Sequence, residues 1–157
     1  GIMEAANRGA KDVGGKSVGC NILLEHEQQP NKYLDKWVNI KFFFVRKTLL
    51  IKYSYAFIVM PGGFGTLDEL FEAIALVQNK KIQSFPIIVF DKDFYKAIIA
   101  HFEKMKELKT IAPADINLCF FTNSINDAIN YLKEKSIVEF KLSYKVDKKR
   151  WWMFEGR

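Results

Sequence analysis

The sequence predicts an α/β fold: a Rossmann-like three-layer αβα domain with a mainly parallel sheet. Three observations predict it. Short apolar runs alternate with amphipathic helical patterns along most of the chain, without repeats or low-complexity segments. A glycine-rich turn, Pro61-Gly62-Gly63-Phe64-Gly65-Thr66, joins one of these runs to a helical pattern. The chain has 157 residues, enough for one domain with its own core.

Taken in order, Met3 to Ala10 reads as a helix already under way. A strand and glycine turn normally precede such a helix in an α/β fold, so the first strand is expected upstream of Gly1. Gly14-Gly15 closes the helix, and Ser17 to Leu23 reads as a strand. Leu24 to Lys36 is polar and reads as a long loop. Trp37 to Val45 is apolar and aromatic, with Phe42, Phe43 and Phe44 in a row, which points to core or interface. Arg46-Lys47 then opens a helix carrying Leu49, Leu50 and Tyr53.

Ala56 to Met60 has the length and β-branched content of a strand buried on both faces. Pro61 ends it, and Thr66 opens a helix with Leu67, Leu70, Phe71 and Ile74 on one side. Phe85 to Phe90 reads as another buried strand. Asp93 to Leu108 follows as a helix with Phe94, Ala97, Ile98 and Met105 on its apolar side. Thr110 to Asn117 is a loop and Leu118 to Phe121 a short strand. Ser124, with Asp127 three residues later, starts a last helix that runs to about Lys133. Residues 1–135 form the expected domain. Residues 136–157 form a basic, aromatic tail containing Lys148-Lys149-Arg150-Trp151-Trp152, read as a solvated tail or packing contact because no nucleic-acid module accompanies it.

Composition narrows the class. Hydrophobic residues make up 49% and charged residues 27%, the balance of a soluble globular domain. No apolar run reaches the roughly 18 residues of a membrane span, and no signal-peptide pattern is visible, so the expected location is cytoplasmic. Cys20 and Cys119 sit in strand-like runs without metal-ligand spacing and read as buried free thiols. No metal or other cofactor is expected. The net charge of +6 favours anionic ligands in general.

Strand, glycine turn and helix together point unpaired backbone N–H groups and a helix dipole at an anion. Glycine lets the backbone approach a phosphate closely and take up positive φ without strain. The residues alone leave two roles open for Glu69. Thr66-Leu67-Asp68-Glu69 has the spacing of a capping box, in which Glu69 bonds a free backbone N–H. A carboxylate at that place can also act on a bound substrate. Asp68 and Glu72 read as helix-start charges favoured by the dipole. His26 and His101 show no partner pattern and read as surface residues.

Pro61-Gly62-Gly63-Phe64-Gly65-Thr66-Leu67-Asp68-Glu69 resembles the PGGxGTxxE motif of the LOG family, long labelled "lysine decarboxylase-like". Arg46-Lys47 falls where that family places an Arg-Lys pair, and Gly1-Ile2-Met3-Glu4 looks like the end of its GGGPGxME stretch. The similarity continues through Ser17 to Ile22, Glu27-Gln28 and Phe64 to Gln78.

The resemblance implies a cytoplasmic homodimer with the Rossmann-like fold. It would hydrolyse the N-glycosidic bond of a nucleoside 5′-monophosphate, AMP or a cytokinin riboside monophosphate, to free base and ribose 5-phosphate. It implies Glu69 and Arg46 as catalytic residues. It also implies substrate contacts from Lys47, Gly62, Gly63, Phe64, Gly65, Thr66, Glu27, Asn21 and Met3. Carboxylate chemistry suits such a reaction, because cleavage builds positive charge on the ribose and water must lose a proton.

The family's upstream glycines are absent from this sequence. Ala75 stands where plant-type members carry a substrate-contacting threonine. The phenylalanine-rich form around Phe42 to Phe44 and Phe64 suggests a bacterial branch acting on ordinary nucleotides such as AMP. Neither nucleic acid nor a membrane is an expected partner. The rival readings are a nucleotide-binding module without catalysis, or another enzyme class on the same fold. No lysine sits in a recognisable pyridoxal-phosphate context, and no Walker pattern is present.

Overall fold

The structure is a computed structural model that describes residues 1–23, 29–82 and 85–138, with side chains through 136. Its elements run α1 (Ile2–Asp12), β1 (Val18–Ile22), β2 (Lys36–Ile40), α2 (Phe43–Lys52), β3 (Phe57–Val59), α3 (Phe64–Gln78), β4 (Ile87–Phe90) and α4 (Lys96–Glu107). A 3-10 turn (Pro113–Leu118), β5 (Phe120–Thr122), α5 (Ile125–Leu132) and a π-helical turn (Lys133–Val138) follow. The expected alternation of strands and helices is present, and among the described residues every strand pairing is parallel.

The strands fall into two sheets, β1-β2 and β3-β4-β5. In the first, Val18 stands opposite Lys36 and Ile22 opposite Ile40. In the second, Phe57 stands opposite Ile87, and Ile88 opposite Phe120. Among the described residues, β1 and β3 each have a strand neighbour on one side only.

The hydrophobic core belongs to the second sheet. Val59, Leu70, Ala73, Phe85, Ile87, Val89, Tyr95, Phe102 and Cys119 form one buried cluster from β3, α3, β4, α4 and the strand margins. β4 is central and reads as a run of buried residues, as a strand covered on both faces must. Burial pushes the Cys119 thiol up to about 12, so it is a protonated core group at neutral pH. By contrast, neither α1 nor α2 has a fully buried residue.

Local chemistry accounts for the element ends. α1 stops where Gly14 takes φ +73, the left-handed conformation that glycine adopts without a Cβ penalty. Gly15 N–H then donates to the Ala10 carbonyl at 2.7 Å. Asp35 fixes the start of β1 by accepting from Ser17 N–H at 2.7 Å and from Lys11 Nζ at 2.6 Å. Those two bonds, Lys11 first, hold the Asp35 carboxyl below its ordinary range. Ser124 caps α5 as expected, its Oγ accepting from Asp127 N–H at 3.2 Å.

Several expectations are corrected. The central strand is not buried on both faces: Val59 is buried, but Ile58 is 53% exposed, because its side of β3 opens into a cavity. Of the two places expected for Phe42, Phe43 and Phe44, core or interface, exposure excludes the core; the last two lie in the first turn of α2, which starts before Arg46. Over the predicted helix, Phe94, which lies before α4, and Ala97 are exposed, while Tyr95, the N-cap of α4, and Phe102 supply the buried contacts. Cys20 is half-buried. His101 is exposed, as expected. His26, Glu27 and residues 139–157 of the basic tail lie outside the described residues. No described helix is long and apolar enough to cross a membrane.

Candidate active site

β3 delivers the chain to the glycine turn, and α3 departs from it. Tyr95 anchors this junction from below: its buried hydroxyl donates to the Met60 carbonyl at 2.8 Å. α3 begins at Phe64, two residues before the expected Thr66, and Gly63 is its N-cap with extended backbone. The first intrahelical bond runs from Leu67 N–H to the Gly63 carbonyl. The N–H groups of Phe64, Gly65 and Thr66 therefore have no partner within the helix.

The turn needs glycine for space rather than for left-handed backbone. A Cβ on Gly62 would lie 2.2 Å from Thr66 Oγ1 and 2.8 Å from Thr66 Cβ. At Gly63 and Gly65 it would meet nothing within 4 Å, so these two leave the helix start uncovered. Positive φ, expected as a benefit of the turn, is absent from all three; among the described glycines only Gly14 has it.

The structure removes the capping-box reading of Glu69. Thr66 sits inside the helix, the N-cap is Gly63, and no side chain caps it. Glu69 instead accepts a hydrogen bond from the guanidinium of Arg46 on α2. Arg46 also donates from Nε to the Cys20 carbonyl on β1 at 2.9 Å. Both side chains are largely shielded, at 22% and 23% exposure, yet both line an open cavity. Helix geometry favours this placement. Cα–Cβ bonds lean toward a helix N-terminus, so Glu69 reaches back toward the free N–H groups. Its Cα lies about 7.5 Å along the axis from that of Phe64, within the scale of a ribose phosphate.

The cavity of about 370 Å³ beside this pair is lined by Met3, Arg46, Ile58, Pro61, Thr66 and Glu69, among others. A second cavity of about 490 Å³ shares Met3 and Arg46 with the first and is lined also by Asn21 and Trp37. Of the expected contact residues, Met3, Arg46, Thr66 and Glu69 thus share one cavity, and Asn21 lines its neighbour. Asn21 Nδ2 donates to Asn39 Oδ1 at 3.4 Å. Phe64 is 92% exposed at the helix start. Among the described residues, no cluster of three or more His, Cys, Asp or Glu side chains could hold a metal ion.

Lys47 adds an arrangement that sequence reasoning missed. Its ammonium lies 3.1 Å from Asp68 Oδ1 and 3.0 Å from Glu72 Oε2, which raises its pKa, Glu72 first. Asp68 and Glu72 are therefore not helix-start charges serving the dipole; both lie beyond the first turn of α3. Their four-residue spacing, one face of a helix, was the available signal.

Residues 3–132 match a protein family described as "Possible lysine decarboxylase". The chain is 32% identical over 109 residues to a protein of Oryza sativa subsp. japonica named "Probable cytokinin riboside 5'-monophosphate phosphoribohydrolase LOGL2". That alignment covers 69% of this chain and 43% of the relative. It is 30% identical over 115 residues to the Arabidopsis thaliana protein "Probable cytokinin riboside 5'-monophosphate phosphoribohydrolase LOG6", covering 72% and 57%. An uncharacterized Archaeoglobus fulgidus protein is 33% identical over 91 residues, covering 57% and 58%. The chain spans about half the length of the curated relatives it matches.

The two kinds of glycine in the turn should respond differently to a methyl group. Gly62→Ala should lose about 1–3 kcal/mol of stability in urea unfolding, because Thr66 and the first turn of α3 must shift. Gly63→Ala, facing open space, should lose no more than about 1 kcal/mol. Equal losses at the two positions would contradict the crowding at Gly62.

Proposed function

The chain belongs to the LOG family, which the description "Possible lysine decarboxylase" covers, and from that membership we propose that it is a nucleoside 5′-monophosphate phosphoribohydrolase. Water would cleave the N-glycosidic bond, giving free base and ribose 5-phosphate. The observation that carries this reading is the Arg46–Glu69 contact beside the uncovered start of α3. The names of the relatives support the reaction class. The substrates proposed are AMP or a cytokinin riboside monophosphate.

The phosphate would accept from the N–H groups at Gly63, Phe64, Gly65 and Thr66, where the helix dipole favours negative charge. That anchor places the ribose along the first turns of α3, with C1′ toward Glu69. As the bond to the base breaks, positive charge grows on the ribose, and the Glu69 carboxylate stabilises it. The same carboxylate accepts the proton of the attacking water as oxygen bonds to C1′. The departing base takes the electron pair of the broken bond and a proton from solvent water, and Glu69 returns its proton to solvent. Arg46 cannot lose its charge, and its grip on Glu69 and on the Cys20 carbonyl orients the carboxylate. Met3 and Asn21 flank the space left for sugar and base. Two free thiols and a nucleotide substrate fit the cytoplasm.

We also propose a homodimer. Phe43 and Phe44 on α2 and its two cap residues, Phe42 and Tyr53, are all more than half exposed, and α2 carries Arg46. Covering that face in a second copy would bury the aromatic surplus next to the site. Light scattering at micromolar concentration should give twice the 18.2 kDa chain mass. A monomer mass would count against the dimer.

The reaction is tested by incubating the protein with AMP and adenosine and assaying free adenine. AMP should be cleaved at least about a hundred times faster, because remote phosphate binding positions the reacting centre. Glu69→Gln should lower turnover of AMP by a factor of about a hundred or more while nucleotide binding survives. Equal cleavage of adenosine would remove the role of the turn. Near-normal turnover by Glu69→Gln would leave a nucleotide-binding module or a different catalytic group.

A further inference from the structure

Two adjacent cations on α2 face three carboxylates on α3. Arg46 takes Glu69, and Lys47 takes Asp68 and Glu72. Among the described residues, these are the ion pairs that join the β1-β2 part of the chain to the β3-β4-β5 part. The Lys47 side chain is only 17% exposed, so its ammonium is held against α3 rather than spread into solvent. Glu72 Oε2 is shut off from solvent and has no hydrogen bond of ordinary geometry; the Lys47 charge 3.0 Å away is what compensates it. Asp68 directly precedes Glu69, and Glu72 follows it by three residues on the same helix face.

Resting on the hydrolase reading above, we propose that Lys47 is a positioning residue: it takes up the charge of Asp68 and Glu72 and so leaves Arg46 committed to Glu69. Without it, one guanidinium faces three carboxylates within a single stretch of helix. Arg46 is then drawn along α3, away from the Cys20 carbonyl and from Glu69, and the carboxylate that serves C1′ loses its orientation. The role differs from a substrate contact. A lysine that binds substrate equally in ground and transition states changes KM, whereas one that aligns the catalytic pair changes kcat.

The test compares Lys47→Met, Lys47→Arg and the triple variant Lys47→Met/Asp68→Asn/Glu72→Gln, using AMP as substrate. A second readout needs no turnover: the Arg46 Nε–H resonance, sharpened by its bond to the Cys20 carbonyl, in proton–nitrogen spectra of the ligand-free protein. Lys47→Met should lower kcat about tenfold or more while KM changes less than about threefold. It should also displace or broaden the Arg46 resonance. Lys47→Arg should keep most of the activity. The triple variant, which removes the competing carboxylates, should return kcat to within about threefold of the parent and restore the resonance. The triple variant also answers for Lys47→Met should that variant fold poorly. A rise in KM with kcat and the resonance unchanged would overturn the proposal, as would a triple variant no better than Lys47→Met. If the parent releases base from no nucleotide, the hydrolase reading falls, and the Arg46 resonance alone decides the role of Lys47.

Discussion

Arg46 spends its guanidinium in two directions at once, and the geometry of the site depends on that division. Nε holds the Cys20 carbonyl of β1, and a terminal nitrogen holds the Glu69 carboxylate of α3. The hydrophobic core cannot do this joining, because its buried cluster lies around the second sheet. Polar ties from α2 set how α3 presents Glu69 to the cavity. A planar, permanently charged fork suits the task better than an ammonium, since it bonds a carbonyl and a carboxylate at fixed angles. Lys47, one residue on, meets the remaining carboxylates of the same helix face as a compact point charge.

The glycine turn solves a different problem. A helix can offer its first N–H groups to an anion only if no side chain stands over them and nothing caps them. Gly63 and Gly65 leave that end uncovered, while Gly62 makes room for Thr66 inside the first turn. The turn is held from the core side by the Tyr95 hydroxyl on the Met60 carbonyl, so it stands on the best-packed part of the molecule. An anchor on rigid structure and a carboxylate on a charged clasp are complementary: in the proposed hydrolase one would fix the phosphate end and the other the reacting end.

Much of this was legible in the residues. Strand–turn–helix around Pro61 to Thr66, the buried run at Ile87 to Val89 and the Ser124 cap follow from local pattern, and local pattern is what sequence displays. The Arg46–Glu69 contact was legible only through family resemblance, since nothing in the spacing of two distant residues says that they meet. What misled was tertiary. Ile58 looks like core, but among the described residues no neighbouring element covers it; Phe42 to Phe44 suit core or interface alike, and exposure at the start of α2 leaves only the second. Thr66 to Glu69 has capping-box spacing, yet glycine at 63 lets the helix start earlier and frees Glu69 for Arg46. Asp68 and Glu72 gain their role only when α2 places Lys47 between them.

In the proposed hydrolase Arg46 and Glu69 act as one unit on the bound nucleotide, and a double-mutant cycle on turnover of AMP, built from Arg46→Ala, Glu69→Gln and the two combined, measures whether they do. The double variant should lose little more than the worse single variant, within about threefold, because either change already dismantles the pair. Losses that multiply would show two residues working independently and would rule the unit out.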